Sequence, residues 1–273
     1  MPISRAFSLQ GRWRAALLSA VTGLGFMAQA TAAPDLDVPY VPTPYEVVDR
    51  MLQMAKVGPE DFVIDLGSGD GRIAIAAVKD HGAKGALGVD LNPERIAEAN
   101  ANAEKAGVAD KVQFREEDLF KTDFSKATVL TMYLLPDVNL ALRDKILALK
   151  PGTRVVSHAF DMDEWEADIF EHVEGRSVHL WIVPAQAAGH WRVEGPTGKM
   201  DLQLEQAFQE IKGTARIAGG DSLPITGALN GHAIRLVLGE GDAARTFTGN
   251  VQGSSMLLAP AGKIDENWKG TRQ

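Results

Sequence analysis

The stretch "FVIDLGSGDGRI", residues 62–73, decides the fold. An apolar run, Phe62-Val63-Ile64, ends in Asp65. Three glycines then follow within five positions, Gly67, Gly69 and Gly71, and the apolar spacing changes to that of a helix. A buried strand, a tight turn and a helix start fit this order. Glycines in such a turn let the backbone approach a ligand, because no Cβ intrudes. The dinucleotide fingerprint G-x-G-x-x-G is not met: the third glycine comes one position early and Arg72 fills its slot.

Outward from this turn, strands and helices alternate. Upstream, Thr43 reads as an N-cap, with Pro44 in the first helical position, Glu46 in capping-box position and Val47, Val48, Met51, Leu52 and Ala55 at helical spacing. Gly58-Pro59 ends that helix. Downstream, strands are expected at 86–90, 111–115, 127–135, 153–160 and 177–185. Helices are expected at 71–82, from Asn92-Pro93 to Ala106 with Gly107 just past its end, from Asp137 to Lys150, and over "DEWEADIFEHV", residues 163–173. This order implies an α/β fold with a doubly wound, Rossmann-like parallel sheet, whose ligand site lies at the carboxyl ends of the strands.

From about residue 188 the helix signals stop. Residues 226–236 and 248–258 form a weak repeat, each reading as a β-hairpin with a turn at Asn230-Gly231 or Gln252-Gly253. "GHWRVE" (189–194) and "ENWKGTRQ" (266–273) read as outer strands. The expectation is a small C-terminal antiparallel β module, a meander or half-barrel, that clamps a substrate, dimerises or covers a sheet edge. The domain expectation is a leader over 1–32, a ligand-binding α/β domain over 38–187 and the β module over 188–273.

Composition narrows the function. The chain has 273 residues, 45% of them hydrophobic, and a net charge of −8, which disfavours nucleic-acid partners. It has no cysteine, which removes thiol catalysis, disulfides and cysteine metal sites. No His/Asp/Glu cluster has metal spacing, so no metal site is expected. Arg5, Arg12 and Arg14 are the only charges before Asp35; the apolar or small run Ala15–Ala30 and the sequence Ala30-Thr31-Ala32 follow. That pattern reads as a secretory signal cleaved near Ala33, placing the protein in the periplasm or at a membrane. An uncleaved anchor, or a mis-assigned start codon with a cytoplasmic protein, are the alternatives. Cleavage removes three arginines and no acid, taking −8 to −11.

The form D-x-G-x-G-x-G at 65–71 resembles the first motif of class I methyltransferases, which bind S-adenosylmethionine. Asp90, 25 positions after Asp65, ends the second strand. A carboxylate there can accept hydrogen bonds from both ribose hydroxyls, as in NAD enzymes, so Asp90 alone does not discriminate. "REEDLF" follows the third strand and places Asp118 where methyltransferases contact the adenine amino group. A narrower resemblance rests on "YVPTPYEVVDRML" (40–52), "DLGSGDGRIAIAA" (65–77) and "VLTMYLLPDVNLALRDKILALKPGTRVVSHAF" (129–160). These are similar to the seven-strand protein-lysine methyltransferases that act on ATP synthase and on the adenine nucleotide translocase.

The resemblance implies S-adenosylmethionine as cofactor, held by Thr43, Asp65, Gly67, Ser68, Gly69, Gly71, Asp90 and Asp118. It implies Tyr133 as the wall of the acceptor site and a protein lysine as acceptor. For Thr43 and Tyr40, closing the methionine end of the cofactor competes with helix capping and core packing. His158 reads as a base or as a structural histidine. Methylation of a small molecule, non-catalytic binding of a nucleoside-like ligand and a pure interaction module stay open. "MYLLP" lacks the Asn/Asp-Pro-Pro-aromatic form of base and glutamine methyltransferases, which supports a lysine acceptor. The leader points to a membrane or envelope protein as substrate.

Overall fold

A computed structural model describes residues 40–218, 220–263 and 265–273, all within one compact unit, Pro34–Gln273. The expected leader and its cleavage site lie outside the described residues.

Helix α1 (Tyr45–Met54) is followed by β1 (Phe62–Leu66), α2 (Arg72–Lys79), β2 (Gly85–Asp90), α3 (Pro93–Ala106), β3 (Val112–Glu116), β4 (Val129–Met132), α4 (Pro136–Leu147), β5 (Arg154–His158), β6 (Ile169–Val173) and β7 (Arg176–Ile182). The seven strands form one sheet in the order β3-β2-β1-β4-β5-β7-β6. The first five are parallel, and β7 runs antiparallel to both β5 and β6. Strand order reverses between β1 and β4, and the switch point of an open α/β sheet is where a ligand crevice opens.

Alternation along the strands feeds two cores. Val63, Val129 and Val156 point towards α1, α2 and α3. Ile64, Leu66, Leu130 and Val155 point the other way, towards α4. Asn92 caps α3 by accepting a hydrogen bond from the Glu94 amide, and Gly107 ends it in the left-handed conformation, as the sequence predicts.

Two local readings need correction. Thr43 does not cap α1. Pro44 is the N-cap residue, its carbonyl accepts from the Val47 and Val48 amides, and the Thr43 hydroxyl turns inward to His158. No helix covers residues 163–173 either. Trp165, Ile169 and Val173 recur every four residues, which suits a helix, but the chain buries Trp165 and then forms the hairpin β6–β7. The Trp165 carbonyl accepts from Trp181 Nε1 at 2.7 Å, and the Asp168 carboxylate takes the Ile182 amide at 2.7 Å. Both bonds cross to β7, and a helix could not make them together. The α4 face is completed by loop residues Phe124, Met162 and Trp165 instead.

The C-terminal module goes further than the expected meander. Strands β8 (Gly189–Gly195), β9 (Gly198–Ala207), β10 (Glu210–Ile217), β11 (Ser222–Asn230), β12 (Ala233–Leu238), β13 (Arg245–Gln252), β14 (Ser255–Pro260) and β15 (Trp268–Arg272) form a closed, all-antiparallel, up-and-down barrel. The two strands read as outer pair with each other, β15 with β8, so no edge is left. The turns centre on Gly231-His232 and Gly253-Ser254, one residue later than expected. Inward residues such as Trp191, Leu202, Leu236 and Trp268 fill the barrel. Outward residues on β9 are Lys199, Asp201, Gln203 and Glu205, the inverse of a membrane-spanning barrel's polarity.

The barrel docks at the amino-terminal end of the parallel strands. Its Gly231 backbone lies against Gly152 in the turn before β5: a Cβ there would sit 3.0 Å from the Gly152 Cα, and φ is +58°. The Ala185 amide donates to the Gly231 carbonyl at 2.8 Å. Phe208, in the β9–β10 turn, stacks on Trp165 with ring centroids 6.0 Å apart, under the Arg143 guanidinium.

Candidate active site

The glycine turn is built by backbone bonds. The Gly67 and Ser68 amides both donate to the Val89 carbonyl at 2.9 Å, pinning the turn over the end of β2. The Gly69 amide donates to Asp90 Oδ2 and the Asn92 amide to Asp90 Oδ1, each at 2.9 Å. One carboxylate thus ties the turn after β1 to the turn after β2, with lone pairs left for a ligand.

A cavity of about 280 Å³ opens beside this turn, close to the lower end of small-ligand pockets. Its floor is Gly67, Ser68 and Gly69 with Asp90; its roof is the segment from Tyr40 to Thr43; its far wall is Tyr133, Leu134, Leu135 and Phe160. The glycines are required by contact. A Cβ on Gly69 would come 2.5 Å from the Tyr40 ring, and one on Gly67 would come 2.8 Å from Leu134 Cδ2.

Two of the cavity's charges, Asp70 and Arg72, pair with each other. Arg72, in the slot where a dinucleotide site has its third glycine, grips Asp70 through Nε and Nη2, and its Nη1 donates to the Thr43 carbonyl at 2.8 Å. It therefore ties roof to floor. Burial acts to raise the Asp70 carboxyl, but the Arg72 hydrogen bond and charge outweigh it and hold it below the usual carboxylate range. The Arg95 guanidinium lies 4.8 Å over the Tyr40 ring.

Beneath the turn, Asp65 is fully buried. Oδ1 accepts from the Thr131 hydroxyl at 2.7 Å, while Oδ2 has no partner among the described residues. Burial pushes this carboxyl up to about 7, with Asp90 and Asp70 adding to the rise. On the acceptor side, His158 is buried, its Nδ1 lies 3.0 Å from the Thr43 hydroxyl, and its ring lies 3.9 Å from the Tyr133 ring. Burial, with Arg176 acting the same way, pushes the imidazole down to about 4.

Comparison with known proteins fits this geometry. Residues 65–169 match the family model described as the ANTKMT methyltransferase domain. A protein-lysine N-methyltransferase of Saccharolobus islandicus is 50% identical over 151 residues, covering 54% of this chain and 94% of the relative. The chain belongs to the protein-lysine N-methyltransferase family. A human lysine N-methyltransferase named for ATP synthase is 30% identical over 171 residues, covering 61% of this chain and 70% of the relative. A solved structure described as an RNA methyltransferase from Salinibacter ruber, in complex with S-adenosyl-L-homocysteine, is 51% identical with a TM-score of 0.53. It covers 54% of this chain and 96% of its own. The barrel begins after the family model's match ends.

S-adenosylmethionine is the methyl donor of this methyltransferase. The cavity suits it: the floor admits a close ligand only because it is glycine, and Asp90 presents acceptors at its edge. Of the residues expected from the sequence, Thr43, Gly67, Ser68, Gly69, Asp90 and Tyr133 line the cavity, and Tyr40 joins them. Asp65, Gly71 and Asp118 do not. Asp65 supports the turn from below. Gly71 makes room for helix packing, since a Cβ would sit 2.4 Å from the Phe114 ring. Asp118 lies in the loop after β3, bonded to the Phe120 amide and paired with Lys121 at 3.0 Å. The sequence reading missed Arg95, Phe160 and the Asp70–Arg72 pair as lining. Asp70 and Arg72 stood inside the quoted motif. Arg95 sits three residues past a helix cap and Phe160 in an irregular segment after β5, positions that carry no local signature.

Proposed function

We propose that this methyltransferase transfers a methyl group from S-adenosylmethionine to the side-chain amine of a protein lysine. The acceptor wall is the observation that carries this reading. Tyr133, Leu134, Leu135 and Phe160 offer an aromatic and aliphatic surface. The cavity's carboxylates are engaged elsewhere, Asp70 by Arg72 and Asp90 by two backbone amides. Such a wall disfavours an ammonium and admits the neutral amine, because burial lowers a lysine pKa.

When bound, S-adenosylmethionine would supply an electrophilic methyl group, which the amine would take in line with S-adenosylhomocysteine as the leaving group. The chain's own residues position and exclude water. Thr43 and Tyr40 close the roof, Asp90 anchors the ribose hydroxyls, and Tyr133 fixes the direction of the amine's lone pair. Alignment of this kind contributes several kcal/mol, with a ceiling of roughly 7–11. The lysine ammonium gives its proton to solvent before transfer, and the methylated product leaves as an ammonium. The relatives named for lysine methylation support the reading. The leader expected over 1–32, ahead of an α/β domain at 38–187 and the β module at 188–273, supports an exported enzyme acting on a membrane or envelope protein.

RNA is the second reading, favoured by the description of the Salinibacter structure and opposed by the net charge of −8. The test incubates purified protein and methyl-labelled cofactor with membrane protein, soluble protein, total RNA and a small-metabolite extract from the source cells. Label on lysine in a protein fraction, placed by tandem mass spectrometry, is the expected result. Label confined to RNA or to small molecules overturns the reading.

A further inference from the structure

His158 touches both the acceptor wall and the roof without lining the cavity. In the sheet register Met132 pairs with Ser157, so Tyr133 and His158 are the next neighbours at the carboxyl ends of β4 and β5. Their rings meet at 3.9 Å with planes tilted by 37°. On its other side the imidazole reaches the roof through Thr43, whose side chain is buried with it. Thr43 in turn receives Arg72 on its carbonyl, and Arg72 grips Asp70 in the glycine turn. A continuous run of contacts therefore joins the acceptor wall, the roof and the cofactor floor, with His158 at its centre.

We propose that His158 is a positioning residue, which holds Tyr133 at the acceptor space and the Tyr40–Thr43 roof over the cofactor space, and does not take the acceptor's proton. The identity of the acceptor rests on the lysine reading above; the positioning role does not. The groups facing the ring are Tyr133, just past the end of β4, and the uncharged Thr43 from the roof, while Arg176 of β7 is the charge that bears on it. Arg176 and burial both favour the neutral imidazole. With one face covered by Tyr133 and Nδ1 occupied by Thr43, the ring is poorly placed to receive a proton from an amine inside the cavity. A base so weak would also leave the ammonium protonated.

The chain has three tyrosines, Tyr40, Tyr45 and Tyr133, so incorporation of 3-fluorotyrosine gives three fluorine resonances, assigned by single Tyr→Phe variants. The Tyr133 resonance of the unaltered protein should stay flat from about pH 5 to 7, below the range in which the fluorinated phenol itself ionises, whereas an ordinary histidine against it would produce a midpoint at about 6.5. His158→Asn keeps an acceptor for Thr43 but loses the ring, and should move the Tyr133 resonance. A midpoint inside that range, or no shift in the variant, overturns the proposal. Where methyl transfer is measured, His158→Phe restores the ring contact and should keep kcat within about fivefold, while His158→Asn should lose about tenfold or more, with S-adenosylhomocysteine affinity changed less. Equal loss in both variants, or disappearance of a limb of the kcat/KM pH profile, identifies a base and refutes the positioning role. Absence of lysine methylation by the unaltered protein would overturn the lysine reading and leave the fluorine result standing.

Discussion

Asp90→Ala is the most informative single substitution at the cofactor site. In the free protein its two carboxylate oxygens each accept one backbone amide, from Gly69 and from Asn92, at 2.9 Å. The substitution therefore removes two things together, the proposed acceptors for the ribose hydroxyls and the tie between the turns after β1 and β2. A hydrogen bond to a charged group contributes about 1.5–3 kcal/mol, and part of the loss is recovered by water in the open mutant cavity. A net loss of about 2–4 kcal/mol follows, a fall in affinity of roughly 30- to 1,000-fold. Calorimetric titration with S-adenosylhomocysteine measures it, with circular dichroism to verify folding. Asp118→Ala is the companion. Asp118 lies outside the cavity and pairs with Lys121, so its removal should change affinity by less than about threefold, as exposed ion pairs contribute little. A folded Asp90→Ala protein of unchanged affinity refutes the reasoning. A large effect of Asp118→Ala would show instead that the loop after β3 closes onto the adenine when cofactor binds.

Further outcomes can be checked separately. Asp65 has its folded-state pKa raised, to about 7, so its contribution to stability is fully present below its unfolded value and is lost as pH rises through 7. The swing is on the order of 4 kcal/mol, and the gain in Tm of Asp65→Asn over the unaltered protein should be larger at about pH 8 than at pH 5; an equal difference at both refutes it. Tyr133→Phe should keep part of the methyl-transfer activity and Tyr133→Ala should lose most of it, with S-adenosylhomocysteine affinity near normal in both by calorimetry. Phe208→Ala removes the half-buried ring stacked on Trp165 and should cost about 2 kcal/mol in denaturant unfolding, less than the 3–5 of a fully buried ring. Cell fractionation with N-terminal sequencing should find the protein outside the cytoplasm, starting near Ala33; soluble cytoplasmic protein beginning at Met1 contradicts the leader.

The methyltransferase half was legible because its signals are local and periodic. The glycine turn, the Asn92 cap, the Gly107 stop and the acidic end of β2 each need only neighbours in sequence. What escaped depends on contacts across the chain. Thr43 has every local mark of an N-cap, yet His158, 115 residues away, is its partner. Residues 163–173 carry a four-residue apolar period that fits a helix, and the choice is made by Trp181 and Ile182 donating bonds to Trp165 and Asp168. Barrel closure was equally hidden: alternation marks each strand, but nothing in "GHWRVE" or "ENWKGTRQ" says that the two ends of the module pair. Asp118 lies outside the cavity lining, in the loop after β3, so its expected contact with adenine rests on the motif order and not on the cavity's shape.

The missing helix and the added barrel belong to one arrangement. In place of a helix before β6, the chain lays Met162 and Trp165 across the sheet, leaving the Trp165 ring facing the barrel. Phe208 fills that side, and Gln209 Nε2 bonds the Glu166 carbonyl at 2.9 Å. A helix in this segment would move Trp165 from its bond with Trp181 and occupy the space Phe208 takes. The other anchor, Gly231 against Gly152, also lies at the amino-terminal end of β5, whereas the cavity opens at the carboxyl ends of β1, β2 and β4. The barrel therefore contributes none of the cavity's lining, and a clamp over the methyl-transfer site is not its place in the fold. Among the described residues, the inward side chains of the barrel pack into a core of their own.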